Sequence, residues 1–237
     1  MKIAVNTAAA DAVITSLAER EPRGDFGRHI SDLTACLRKR WLDHYAPPSD
    51  TPDPLLLTFL RGEVLHKMLS LDAEELSLTR DLLLGTIDHI DDDGHLWEWK
   101  TTMIWAGKLD DPSAWPESWL MQVAAYVYMA EMRDINVGVL HLQGDGRSNR
   151  LAQLRVYTLE FTPEELSDNW LTLMSRSAII TATGGDTMTE CYPVEPPVTT
   201  RLGSWECKSC AHLAHCLPDL NLLKQADPVN GSKEDTQ

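Results

Sequence analysis

The chain has 237 residues, 43% of them hydrophobic, which suffices for one well-cored domain with appendages and falls short of two. Its formal charge of −15 excludes broad electrostatic adhesion to nucleic acid, because phosphate affinity comes largely from Lys and Arg displacing counterions; a nucleic-acid enzyme survives only if positive charge is local or supplied by metal. Asp11, Glu19 and Glu21 stand where a secretory or spanning segment needs an apolar run, and no other stretch approaches a membrane span, so the expected setting is cytoplasmic, with no membrane partner.

In chain order, residues 8–19 and 30–45 read as helices, and the proline-rich stretch 47–54 breaks what precedes it. A further helix is expected over 55–71. Apolar and alternating residues from Leu78 to Ile90, the turn-prone Asp92, Asp93 and Gly94, and then Leu96 to Thr102 predict a β-hairpin. After a loop containing Pro112 and Pro116 come a helix over 117–133 and strands near 136–143 and 151–160. Thr162-Pro163-Glu164-Glu165 opens another helix, with Thr162 as N-cap and proline at the first helical position. The order predicts a mixed α/β (α+β) fold, a small mixed central sheet flanked by helices. Residues 224–237 are polar and predict a disordered tail.

Closing the hairpin over Asp92 to Gly94 puts Asp91 opposite His95 and Asp88 opposite Glu98. Directly opposed carboxylates repel, so the pair wants a cation or a proton. Strand alternation adds Lys100 to that face, beside the core-type Leu84, Ile90 and Leu96, while Ile87, Trp97 and Trp99 take the other, so the hairpin is expected to be covered on both sides. Burying two acids and a lysine is expensive without a compensating role. Mg²⁺ or Mn²⁺ held by Asp88 and Glu98 would polarise a phosphodiester and activate water, with Lys100 stabilising the charge that develops. The plainer alternative is an exposed Glu98–Lys100 salt bridge beside a solvated acidic turn.

Two helical pairs at i, i+4 accompany the hairpin, Gly62 with His66 before it and Gln122 with Tyr126 after it. Taken together, G-x-x-x-H at Gly62 to His66, G-x-x-D at Gly85 to Asp88, E-x-K at Glu98 to Lys100 and Q-x-x-x-Y at Gln122 to Tyr126 resemble the motif set of the RecB-like PD-(D/E)xK nuclease superfamily. The resemblance implies a restriction-endonuclease-like core at residues 55–185 with catalytic Asp88, Glu98 and Lys100. It further implies a metal held by His66, Asp88, Glu98 and the main-chain carbonyl of Trp99, and contact with substrate or support of the site by Gln122 and Tyr126.

Five cysteines are an odd number, and the crowding of Cys207-x2-Cys210-x5-Cys216 reads as metal ligation rather than a disulfide framework. Cys36 is the best candidate for a fourth ligand, and Cys191 is left as an ordinary thiol. Ser31-x4-Cys36 followed by Leu37, Arg38, Lys39, Arg40 and Trp41 resembles the N-terminal cysteine motif of iron-sulfur nucleases in the same superfamily. The resemblance implies a 4Fe-4S cluster on Cys36, Cys207, Cys210 and Cys216, joining an N-terminal segment (1–54) to a C-terminal one (186–223). Zinc is the alternative, because His212 and His215 could complete a local Cys₃His site.

Arg38, Lys39 and Arg40 could meet a DNA backbone, and Trp105, Trp115 and Trp119 could stack on unpaired bases; a solvated helix face and core packing are the structural alternatives. With one cysteine near the front and three near the end, the layout resembles the CRISPR-associated Cas-four-type exonucleases. By that resemblance the chain would degrade single-stranded DNA or free DNA ends, 5′ to 3′, during spacer acquisition, partnered by the CRISPR integrase proteins. The alternatives are a repair, recombination or phage exonuclease with the same site, and a non-catalytic DNA-end-binding adaptor.

Overall fold

The computed structural model describes residues 27–45, 75–104, 106–111, 114–142, 152–182, 207 and 210–214. Both expected helices 8–19 and 55–71 lie outside the described residues, and with them Gly62 and His66; so do Trp105, Cys191, His215, Cys216 and the expected tail. The described elements run α1 (Ile30–Leu33), α2 (Leu37–Tyr45), β1 (Leu76–Arg80), β2 (Leu83–Ile87), β3 (His89–Ile90), β4 (Leu96–Thr102), α3 (Ala106–Leu109), α4 (Glu117–Met129), β5 (Asp134–His141), β6 (Gln153–Glu160) and α5 (Pro163–Ala182).

Four strands form a mixed sheet in the order β3-β4-β5-β6, antiparallel except for the central β4–β5 pair, and β1–β2 make a separate antiparallel hairpin. A parallel pair cannot be joined by a tight turn, and here the crossover is α3 and α4. The α/β expectation of a small mixed sheet flanked by helices therefore holds, with the β1–β2 hairpin as a separate second sheet. β4 alternates strictly: Leu96, Glu98, Lys100 and Thr102 are buried and the residues between them half-buried. Its buried face joins Val137 and Val139 of β5 and the α4 residues Val123, Tyr126 and Val127 in one core.

Local chemistry explains where these elements stop. Thr162 and Glu165 form a reciprocal cap: the Thr162 hydroxyl accepts from the Glu165 amide (3.2 Å) and the Glu165 carboxylate accepts from the Thr162 amide (2.8 Å). α4 ends four residues earlier than expected, in a Schellman turn in which Met132 N–H donates to Val127 O (3.0 Å) and Glu131 N–H to Tyr128 O (3.2 Å). Its left-handed position is taken by Glu131 (φ 58°) instead of the usual glycine. Arg80 braces that end, stacking over the Tyr128 ring at 4.3 Å and donating to Tyr128 O and to Glu131.

Two expectations are corrected. Residues 30–45 are two helices, because the break at Thr34–Cys36 is held by buried Arg176 of α5, whose guanidinium donates to the carbonyls of Leu33 and Ala35. Residues 78–90 do not form one strand either. Asp81 and Leu82 adopt left-handed conformations (φ 48° and 70°) in a tight turn between β1 and β2, and the chain bends again at Asp88. The bend reverses the alternation, so Leu83, Gly85 and Ile87 are buried, Leu84 is half-buried and Ile90 is exposed. Leu84 and Ile90 thus leave the core face expected for them, and Ile87 enters it.

Candidate active site

The turn after β3 sets the register on which the site depends. Gly94 N–H donates to Asp91 O (2.9 Å), Asp91 N–H to His95 O (3.1 Å), and Gly94 takes the left-handed position (φ 86°). His89 then pairs with Trp97 and Ile90 with Leu96, and Asp88, at the bend just before β3, lines the same cleft as Glu98. The Asp88 carboxylate accepts from Trp99 N–H at 2.7 Å, which orients it from the backbone of the opposing strand.

Glu98 (3% exposed) and Lys100 (9%) follow at alternate positions of β4, and Asp88 is equally enclosed (9%). Lys100 Nζ donates to Glu98 Oε1 (2.6 Å) and to Gln122 Oε1 of α4 (2.7 Å), and Gln122 Nε2 donates to the Tyr126 hydroxyl (2.8 Å). Helical spacing puts Gln122 and Tyr126 on one stripe, and the Tyr126 ring lies against β2 at Gly85. A Cβ there would meet Tyr126 Cε1 and Met129 Sδ, each at 3.0 Å, so the glycine makes room for the tyrosine that ends the relay. The Glu98–Lys100 ion pair is therefore buried and braced from a neighbouring helix, unlike an exposed salt bridge.

These residues line a cleft of about 210 Å³, together with His29, Ile30, Ser31, Glu75, Leu84, Gly85 and Thr86. Sequence reasoning missed His29, Glu75 and Thr86 as lining groups. His29 is delivered by a parallel bridge to Leu84, a long-range contact with no periodic signal behind it. Asp88 and Glu98 offer hard oxygen donors of the kind that suits Mg²⁺ or Mn²⁺. Among the described residues no three His, Cys, Asp or Glu side chains converge on a metal-holding position, and His66 is not among those residues.

The opposite face of β4 carries an aromatic pair. Trp97 and Trp99 stack with centroids 5.4 Å apart, and Trp97 Nε1 donates to Asp91 at 2.9 Å. That indole N–H, with the backbone and ring donors of His95, holds the Asp91 carboxyl down at about 2. Leu154 and Val156 on β6 are half-exposed, so this face is only partly covered, in contrast to the expectation of cover on both sides.

Arg38 is buried (7% exposed), Lys39 pairs with Asp43 at 2.5 Å, and Arg40 lies 3.6 Å from Asp32. Lys39 and Arg40 of the expected cationic face thus lie against acidic partners, and Arg38 is turned inward. Trp115 is also buried, donating to Leu109 O and meeting Trp119 and Tyr157 edge-on, which makes it a loop anchor and corrects the base-stacking expectation for that residue. Near it Arg155 donates to both oxygens of Asp110 at 2.7 Å and lowers its pKa.

Cys36 lies in the break between α1 and α2, and Cys207 and Cys210 are half-buried in a turn closed by Cys210 N–H donating to Cys207 O (3.2 Å). His212, 2% exposed, engages Asp43 of α2 through Nε2 at 2.9 Å and so joins the two cysteine-bearing segments. Cys36, Cys207 and Cys210 do not by themselves form a metal-holding trio, and Cys216 lies outside the described residues.

No protein-family model and no curated protein matches the chain. Among solved structures it is similar to that of SSO0001, with a TM-score of 0.52 and 12% identity, covering 88% of this chain and 96% of that one. At that identity the likeness is one of fold. No described helix is long and apolar enough to cross a membrane.

Proposed function

We propose that this chain is a divalent-metal-dependent deoxyribonuclease of the RecB-like PD-(D/E)xK kind, acting on single-stranded DNA or free DNA ends in the manner of the Cas-four-type exonucleases. The observation that carries the reading is the buried row of Asp88, Glu98 and Lys100 on the floor of one cleft, with the lysine gripped by Gln122.

Asp88, Glu98 and the Trp99 carbonyl would hold Mg²⁺ or Mn²⁺, joined by His66 as the family resemblance implies. When bound, such a cation supplies Lewis acidity and lowers the pKa of a water it carries. The chain's own part is to orient and to balance charge. Trp99 N–H fixes the Asp88 carboxylate, and the Lys100 ammonium, with two of its N–H groups spent on Glu98 and Gln122, has a third for a phosphate oxygen. Hydrolysis forms a bond from water oxygen to phosphorus and breaks the bond to the departing sugar oxygen, which takes up a proton. The strongly acidic chain makes DNA binding weak and salt-sensitive without the cation.

Cys36, Cys207, Cys210 and Cys216 would hold a 4Fe-4S cluster, with zinc as the alternative. Engagement of His212 Nε2 by Asp43 supports ligation through the four cysteines, and four thiolates suit iron-sulfur chemistry. A CRISPR setting with integrase partners follows the Cas-four-type likeness; a repair, recombination or phage exonuclease would use the same residues.

The test is cleavage of end-labelled single-stranded DNA by anaerobically purified protein with Mg²⁺ or Mn²⁺, with the visible spectrum of the same sample. Parent protein should be brown and active, and Lys100→Ala should cut at least about 100-fold more slowly. A folded Lys100→Ala variant that cleaves at the parent rate overturns the assignment.

A further inference from the structure

Trp99 lies between Glu98 and Lys100, and its peptide unit serves the site in two ways under the reading above. Its N–H orients Asp88 at 2.7 Å, and its carbonyl is a proposed ligand of the cation. A main-chain group has no rotamer with which to adjust, so its position is that of the strand itself. Besides the ladder to β3 and β5, the strand is held here by contacts on its other face.

Trp99 pairs across the parallel ladder with Gly138 of β5. A Cβ built on Gly138 would sit 2.0 Å from Trp99 Cζ3 and 2.2 Å from Cε3, so the indole lies directly on the β5 backbone, in space that any other residue would fill. Trp97 stacks on the same ring from two residues away, and Asp91 holds Trp97 through its indole N–H. Asp91 is held in turn by the amides of Asp93 (3.1 Å) and His95 (2.8 Å), which ties the row to the hairpin turn. The face is only partly covered, and the indole sits between the β5 backbone at Gly138 and the ring of Trp97.

We propose that Gly138, Trp99 and Trp97 are positioning residues for the cation site, a clamp on the far face of β4 that holds the Trp99 peptide unit in register with Asp88 and Glu98. The proposal rests on the metal-dependent nuclease reading. A residue larger than glycine at 138 lifts the indole from its seat and displaces that peptide, while every side chain in the cleft is left chemically intact.

The experiment is Mn²⁺ binding by calorimetry to the full chain, parent against Gly138→Ala, Trp99→Ala and the double variant, with Asp88→Asn as the control for the site and thermal melting as the control for folding. Gly138→Ala should weaken Mn²⁺ binding about 10- to 100-fold, the range found when groups that orient a metal ligand are altered. The same change in the Trp99→Ala background should add little, since the indole it displaces is gone. A purely structural role would lower the melting temperature without this non-additivity in metal affinity. If Gly138→Ala fails to fold, Trp99→Ala alone decides, with binding about 10-fold weaker for the clamp and parent-like binding against it. Parent-like Mn²⁺ affinity in folded Gly138→Ala overturns the clamp and leaves Lys100-dependent cleavage standing. Mn²⁺ binding that is indifferent to Asp88→Asn instead removes the nuclease reading, and the clamp with it.

Discussion

Replacing Arg176 by methionine tests whether the break before α2 is held from α5. Arg176 is 5% exposed and donates through its guanidinium to the carbonyls of Leu33, just before the break, and Ala35, within it. Hydrogen bonds from a charged donor contribute about 1.5–3 kcal/mol each, so two amount to about 3–6 kcal/mol. Methionine retains the aliphatic bulk and relieves the desolvation of a buried cation, which offsets part of that loss, and we expect a net cost of about 2–4 kcal/mol. For a chain of this size 1 kcal/mol shifts the melting temperature by about 2–4 °C, so circular dichroism should record a fall of roughly 5–15 °C. Arg176→Lys should recover less than half of it, because an ammonium cannot reach two carbonyls in the fork geometry of a guanidinium. A shift below about 2 °C for Arg176→Met would show that the carbonyls are satisfied in other ways and refute the argument.

Gln122→Leu removes the acceptor that grips Lys100 and the donor to Tyr126; kcat on single-stranded DNA should fall about 10- to 100-fold with KM nearly constant, whereas a rise in KM alone would move Gln122 from bracing the lysine to contacting substrate. Asp91 has its folded pKa depressed from 3.8 to about 2, first by the Trp97 indole N–H, so it contributes stability above about pH 4 that is lost as pH falls toward 2. Asp91→Asn should flatten that acid limb in a pH series of melting temperatures, and an unchanged limb would assign the acid sensitivity to other carboxylates.

The register of β3 against β4 was legible because one turn decides it: Asp91 to Gly94 has a single good way to close, and the pairing of Ile90 with Leu96 and His89 with Trp97 follows by counting. The cap at Thr162 was legible for a similar local reason. What could not be read were features in which distant groups override local preference. Asp81 and Leu82 take left-handed conformations without a glycine or asparagine to announce them, held by Trp170 donating to the Asp81 carboxylate and Arg28 to the Leu82 carbonyl. Arg176 reads as a solvated helix residue until α1 and α2 are packed against it, and Glu131 stands where a helix end would ordinarily show glycine. His29 and Glu75 reach the cleft from opposite ends of a long stretch, so no spacing rule brings them together.

The bond between His212 and Asp43 spans 169 residues, which has a consequence for the order of events during synthesis. At about 5–20 residues per second, Asp43 leaves the ribosome roughly 10–30 s before its partner. Glu98, Lys100, Gln122 and Tyr126 belong to a strand and helix made well inside that interval, so their hydrogen-bonded row can assemble on the nascent chain while the clasp is still open. A product that stopped after α5 would carry the row without the clasp, and the joining of the two cysteine-bearing segments becomes a late step, completed only once His212 has docked on α2.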